Sequence, residues 1–120
     1  MILRDWRSAA PEAVSHDPSI EKRVMLQVGD VPGVTAFSVA RFSPGQETRA
    51  HRHASMTEVF LVLDGAGVAE VEGAPVRVQA GSCLVVEAGE LHALRNAGEH
   101  DLVVAYFGVA TGGAAEHGSR

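Results

Sequence analysis

The chain has 120 residues, of which 46% are hydrophobic and 21% charged, the size and balance of one globular domain rather than of a disordered chain. A net charge of −5 with only 10 Lys and Arg argues against a broad phosphate-binding surface, and so against a nucleic-acid partner. No apolar run approaches the ~18 residues of a membrane span, and the single cysteine, Cys83, excludes an internal disulfide framework. That lone cysteine, together with a start (Met1 to Arg7) that lacks the apolar stretch of a secretory signal, fits a cytoplasmic protein.

Residues 1–20 read as a mixed N-terminal segment, with a short helix over Pro11 to Val14 and with Trp6 as apolar cover for a dimer partner. Residues 21–110 read as one β-barrel domain. The expected strands are Arg23 to Val28, Val34 to Phe42, Thr48 to His53, Val59 to Leu63, Val68 to Glu72, Val76 to Gln79, Cys83 to Val86, Leu91 to Arg95 and Leu102 to Phe107. They are rich in valine, which suits a pleated, half-buried surface. Turn chemistry separates them, as at Ser43-Pro44-Gly45, Glu72-Gly73 and Ala88-Gly89. Asp64-Gly65 between two apolar runs reads as a hairpin turn. Short strands at close, regular spacing predict an all-β fold, a small double-sheet β-barrel or sandwich. Residues 111–120, rich in Gly and Ala, read as a flexible tail.

Histidine carries the chemistry. His51 and His53 are two apart on an expected strand, so their imidazoles project from one face. Glu58 opens the next strand on the face it shares with Phe60 and Val62, where a carboxylate is costly to bury without a partner. With His92, these residues offer three imidazoles and one carboxylate, a donor set for a divalent metal. Read singly, each has a plainer role: a solvated His pair, a strand-edge charge, a turn cap. The joint spacing carries the case.

The stretch Gly45 to Gly65, with Gly45, His51-Arg52-His53, Glu58 and Gly65 at its fixed positions, resembles the first motif of the cupin superfamily. Gly81 to Asn96, with Gly81, Gly89, His92 and Asn96, resembles the second, except that Glu87 stands where the motif has proline. A looser turn is expected there. The resemblance implies a small single-domain cupin with a jelly-roll-like barrel and a homodimeric assembly. It also implies that His51, His53, Glu58 and His92 hold one divalent metal ion in the barrel mouth.

Four protein ligands leave about two positions open on an octahedral ion, which favours iron, manganese or nickel; zinc, which prefers four ligands in total, is admissible. The open positions suit a small oxygenated or carboxylated organic ligand. Two function classes follow: a metal-dependent dioxygenase, isomerase or lyase, and a non-catalytic small-molecule binding or sensor module. Arg49 shares strand parity with His51 and His53 and is the first candidate for an anionic substrate, with Arg41 and Arg23 on flanking strands. Phe60 and Tyr106 are candidates for the pocket wall, as are Phe37 and Phe107 for the core, and Tyr106 is the one candidate general base. Cys83 is expected to be buried and inert, and His16, His100 and His117 to be solvated.

Overall fold

The computed structural model describes residues 1–14 and 17–111. Among these, nine strands follow in order: β1 (Pro11–Val14), β2 (Asp17–Leu26), β3 (Phe37–Phe42), β4 (Met56–Asp64), β5 (Ala66–Val71), β6 (Ala74–Gln79), β7 (Cys83–Val86), β8 (His92–Arg95) and β9 (Leu102–Ala110). They form an antiparallel six-stranded sheet in the order β1-β2-β3-β9-β4-β7 and a three-stranded sheet in the order β6-β5-β8. The architecture is the all-β double sheet expected from the sequence. Residues 112–120 of the expected tail (111–120), and His16 and His117, lie outside the described residues.

The core fills one end of the space between the sheets. Ile20, Ala40, Phe42, Val62, Leu102, Val104 and Tyr106 from the large sheet meet Val78 from the small one, with Phe60 and Leu94 packed against them. On every strand these residues alternate with outward-facing ones, so period-2 patterning decides which side chains line the interior. Asn96, 1% exposed, closes this end: its Nδ2 donates to the carbonyls of Phe42 and His100, and its Oδ1 accepts from the Gly98 amide.

Four local expectations are corrected. Pro11–Val14 is a strand, not a short helix. Four residues are too few to nucleate a helix, while an edge strand tolerates a proline that has no N–H to give, and β1 pairs with β2 at that edge. Strand β2 correspondingly begins at Asp17, so the large sheet reaches into the first twenty residues.

Thr48 to His53 forms no continuous strand. It touches β8 through isolated bridges, Glu47 to Arg95 and His51 to His92. Four steps on one side span three on the other, a one-residue bulge. The Leu94 amide donates to Thr48 Oγ1 at 3.0 Å, so a hydroxyl takes a place in the ladder.

Asp64-Gly65 is a corner between sheets and not a hairpin, because β4 pairs with β9 and β7 while β5 pairs with β6 and β8. Gly65 has φ +83°, and a Cβ there would lie 2.4 Å from the Asp101 carbonyl oxygen. The close approach explains the glycine without a hairpin.

Cys83 is exposed rather than buried. It shares parity with Val85, 52% exposed, on the outer side of β7, and β7 ends the large sheet.

The outer face of the large sheet is unequal. On β2 and β3 the N-terminal segment is tied down: Arg23 Nη1 donates to the Ala9 carbonyl at 2.6 Å, and Arg4 pairs with Asp30 at 3.0 Å. Trp6 is half-buried and borders a cleft with Leu3 and Met25. On β4, β7 and β9 the same face leaves Leu61, Leu63, Val85 and Val109 exposed.

Candidate metal centre

The other end of the interior is polar. Glu58 projects inward from β4 between its neighbours Val86 on β7 and Gly108 on β9. At 1% exposure it is as buried as the core. Gly108 leaves room for Met56 and Thr35 beside it: a Cβ there would meet Met56 Sδ at 2.2 Å and Thr35 Oγ1 at 2.7 Å. His92 enters from β8 on the small sheet. His51 lies opposite His92, the two backbones exchanging a pair of hydrogen bonds at 2.9 Å. This narrow antiparallel pair does the positioning that a regular strand was expected to do. His53, 7% exposed, follows in the loop, where its carbonyl accepts from the Gly89 amide at 2.7 Å.

The turn carrying Gly89 absorbs the missing proline. The Glu87 amide, which a proline would lack, donates to Glu90 Oε1 at 2.7 Å, and the Glu90 amide donates to the Glu87 carbonyl at 3.1 Å. The turn is closed by side chain and backbone together instead of being loosened.

One ligand atom from each of His51, His53, Glu58 and His92 lies within 4.8 Å of the others. His92 Nε2 is 3.0 Å and His53 Nε2 3.3 Å from Glu58 Oε1. Adjacent donors around an octahedral first-row ion with bonds of ~2.1 Å lie ~3.0 Å apart, so these edges match. The imidazole rings stand 4.5 to 5.8 Å apart by centroid.

Tautomers give the chemical test of fit. His51 Nδ1 meets the Arg49 carbonyl at 2.8 Å and His92 Nδ1 the Glu90 carbonyl at 3.0 Å. A carbonyl only accepts, so both Nδ1 atoms carry the proton. In the neutral rings Nε2 then presents a lone pair, and at His92 that lone pair faces a carboxylate oxygen. Buried His53 Nε2 makes no hydrogen bond. A proton on His92 Nε2 would make its 3.0 Å contact with Glu58 Oε1 a hydrogen bond; with that ring neutral, the converging nitrogens and the carboxylate are a donor set that could hold a metal ion. The Nδ1 contacts are the outer hydrogen bonds that orient metal-binding imidazoles. Burial, reinforced by His92 and His53 nearby, holds the His51 pKa below its ordinary 6.5, against the Arg49 carbonyl and Glu58, which act the other way. The ring therefore favours its neutral, ligating form.

Of the arginines singled out in the sequence, Arg49 borders the site through its carbonyl on His51, and Arg41 and Arg23 lie on the outer face of the large sheet. Arg49 is exposed, and its backbone amide donates to Asp17 Oδ1 at 3.2 Å. Arg41 faces outward, 3.9 Å from Asp101. Arg23 faces outward too, bonded to the N-terminal segment and 3.5 Å from Glu21. Phe60 and Tyr106 line the interior: their rings stack at 5.8 Å, and Phe60 lies 6.2 Å from the His92 ring. Phe37 and Phe107 meet edge to face at 5.8 Å on the outer side. His100 is exposed.

The residue missed by sequence reading is Lys22. It is 7% exposed on the inner face of β2, one position from Arg23, and it shares parity with the core residue Ile20. That parity is the signal that could have found it.

A family model for a cupin domain matches residues 38–108. The chain is 32% identical over 66 residues to an oxalate-binding protein from Thermotoga maritima, covering 55% of this chain and 54% of that one. It is 33% identical over 61 residues to the dimethylsulfoniopropionate lyase DddW of Ruegeria pomeroyi, covering 51% and 40% respectively. The match thus spans about half or less of those relatives' own length. Among solved structures, a predicted oxalate decarboxylase from Thermotoga maritima superposes with a TM-score of 0.83 at 24% identity, covering 92% of this chain and 99% of that one. No helix among the described residues is long and apolar enough to cross a membrane.

Proposed function

The chain belongs to the cupin domain family, and on that premise we propose that it holds one divalent transition-metal ion on His51, His53, Glu58 and His92 and binds a small carboxylate there. The observation that carries the reading is the buried convergence of imidazole lone pairs on Glu58 Oε1. The ion would supply open positions for a ligand oxygen and stabilise negative charge on it. The protein's own part is to aim the His51 and His92 rings through the Arg49 and Glu90 carbonyls, to favour neutral His51 by burial, and to wall the ligand with Phe60 and Tyr106. The likeness to an oxalate-binding protein supports a carboxylate as the ligand class. Iron, manganese or nickel suits a site that keeps two positions open.

Elemental analysis of the purified chain, followed by calorimetric titration of the Mn(II)-loaded protein with oxalate, tests this. One equivalent of metal and oxalate binding that requires it are expected; binding unaffected by chelation would overturn it.

A second reading, lyase chemistry on the bound carboxylate, draws on the likeness to DddW and on Tyr106, whose ring stacks on Phe60 beside His92. Turnover by the metal-loaded protein separates catalyst from binding module. A homodimer is part of the proposal, supported by the apolar face around Leu61 and Val85; sedimentation at twice the chain mass is the expected result.

A further inference from the structure

Between the candidate metal centre and the packed core the interior is not filled. Phe60 on β4, Leu84 on β7 and Leu94 on β8 all face inward, sharing parity with Glu58, Val86 and His92, yet each is only half-buried. One level deeper, Val62 and Val104 are 4% and 1% exposed, so the packing closes below them. The three half-buried side chains border a recess of about 20 Å³ that also takes in His92, Val86 and Ala69. Among the described residues, His92 is the one polar member of its wall. The recess starts at the donor cluster itself. Val86 is the cross-strand neighbour of Glu58, and His92 Nε2 lies 3.0 Å from Glu58 Oε1, so both flank the carboxylate and the recess at once.

A space of that size takes about one water-sized group, and a buried water needs about two to four polar partners, which this wall does not offer. An alkyl group needs none. It gains dispersion contacts with Phe60, Leu84 and Leu94, whose inner sides otherwise face a gap, and it removes their apolar surface from water. We infer that the recess seats a short alkyl chain of the ligand, so that the carboxylate taken at the metal is an aliphatic monocarboxylate with no polar group at its far end. This rests on the metal reading above and narrows its ligand class. A hydroxyl or a second carboxylate at the far end would lose its water against apolar side chains and find no partner in exchange. Oxalate, which has no carbon beyond its two carboxyl groups, reaches the metal and leaves the recess unfilled.

The test uses the full chain loaded with Mn(II), with metal content and circular dichroism recorded for each variant. Acetate, propionate, butyrate and 3-hydroxypropionate are titrated against the water-proton relaxation of the bound ion, which falls as a carboxylate displaces its water. Affinity should rise about fourfold from acetate to propionate, the worth of one buried methylene. 3-Hydroxypropionate, which matches butyrate in shape, should bind about tenfold more weakly than butyrate. Ala69→Val, which fills the recess from β5, should bring propionate and butyrate down to the affinity of acetate with Mn(II) content retained. Leu84→Phe fills it from β7 and serves if Ala69→Val fails to fold. Propionate no tighter than acetate, 3-hydroxypropionate equal to butyrate, or a chain-length gain that survives the filled recess each overturns the inference, and the metal reading stands apart from it as long as acetate binding requires Mn(II). A wild type that holds no Mn(II) fails at the metal analysis, before any carboxylate is added, and overturns the metal reading and this one together.

Discussion

The two ends of the barrel interior are built on the same strands and differ in what burial does there. At the closed end, Ile20, Phe42, Leu102 and Val104 are at most 3% exposed and ask for nothing but apolar neighbours. At the open end, Glu58, His53 and His92 are nearly as buried, but their polar atoms need polar partners and form a cluster that could hold a metal ion. Apolar burial stabilises roughly in proportion to area, whereas polar burial costs unless its bonds are met. The fold's stability is thus expected to reside at the closed end, and its chemistry at the open end.

The sharpest way to break that contrast is Leu102→Ala. With Leu102 at 0% exposure, it should cost about 2–5 kcal/mol by denaturant unfolding, while the surviving folded protein still takes up metal. The counterpart, His51→Ala with His53→Ala, should weaken metal binding by more than about a hundredfold, beyond the loss typical of outer-shell changes. The metal-free fold should keep its circular dichroism spectrum and its unfolding midpoint; a double mutant that unfolds would place structural weight at the open end.

Acid should reach the two ends differently. Because burial lowers the His51 pKa from 6.5, the unfolded chain binds that proton more readily than the folded one. The stability tied to neutral His51 is present above 6.5 and is lost as pH falls from there through the lowered value. Metal affinity should decline below pH ~6 as protons compete for the imidazoles. Metal content measured against pH, beside unfolding curves of His51→Ala, checks both; the variant should lack the His51 part of the acid loss. The smallest effect is expected from Glu87→Pro. It removes the amide that donates to Glu90 Oε1 and in exchange stiffens the turn, so it should shift stability by no more than about 1 kcal/mol in thermal melts and leave metal content unchanged.

The same contrast separates what was legible in the amino-acid order. The convergence of His51, His53, Glu58 and His92 was, through the resemblance of Gly45 to Gly65 and Gly81 to Asn96 to the two cupin motifs. Strand β7 was as well, since Gly81 and Glu87 bracket four apolar residues. Features that depend on pairing across distance were not. Pro11–Val14 is a strand only because β2 lies beside it, and Asp64-Gly65 is a corner only because β4 and β5 find their partners in different sheets. Parity was harder still. Lys22 and Arg23 are equivalent in composition, and one residue of register decides which is interior. Cys83 is apolar by neighbourhood yet faces out, because it shares parity with exposed Val85 and not with buried Val86.

That uncapped strand sets how the protein behaves in concentrated solution. Cys83–Val86 carries no charge and ends the sheet without a further strand among the described residues, the kind of edge on which like strands aggregate. Glu87, immediately after it, is an exposed charge of the kind that keeps such edges apart. Colloidal stability is expected to be poorest near the pI of about 5.6, where the net charge vanishes. The exposed thiol adds a covalent route: without reductant, two copies meeting at this edge can be locked together through Cys83. A cross-linked species on a non-reducing gel would then record storage history rather than native assembly.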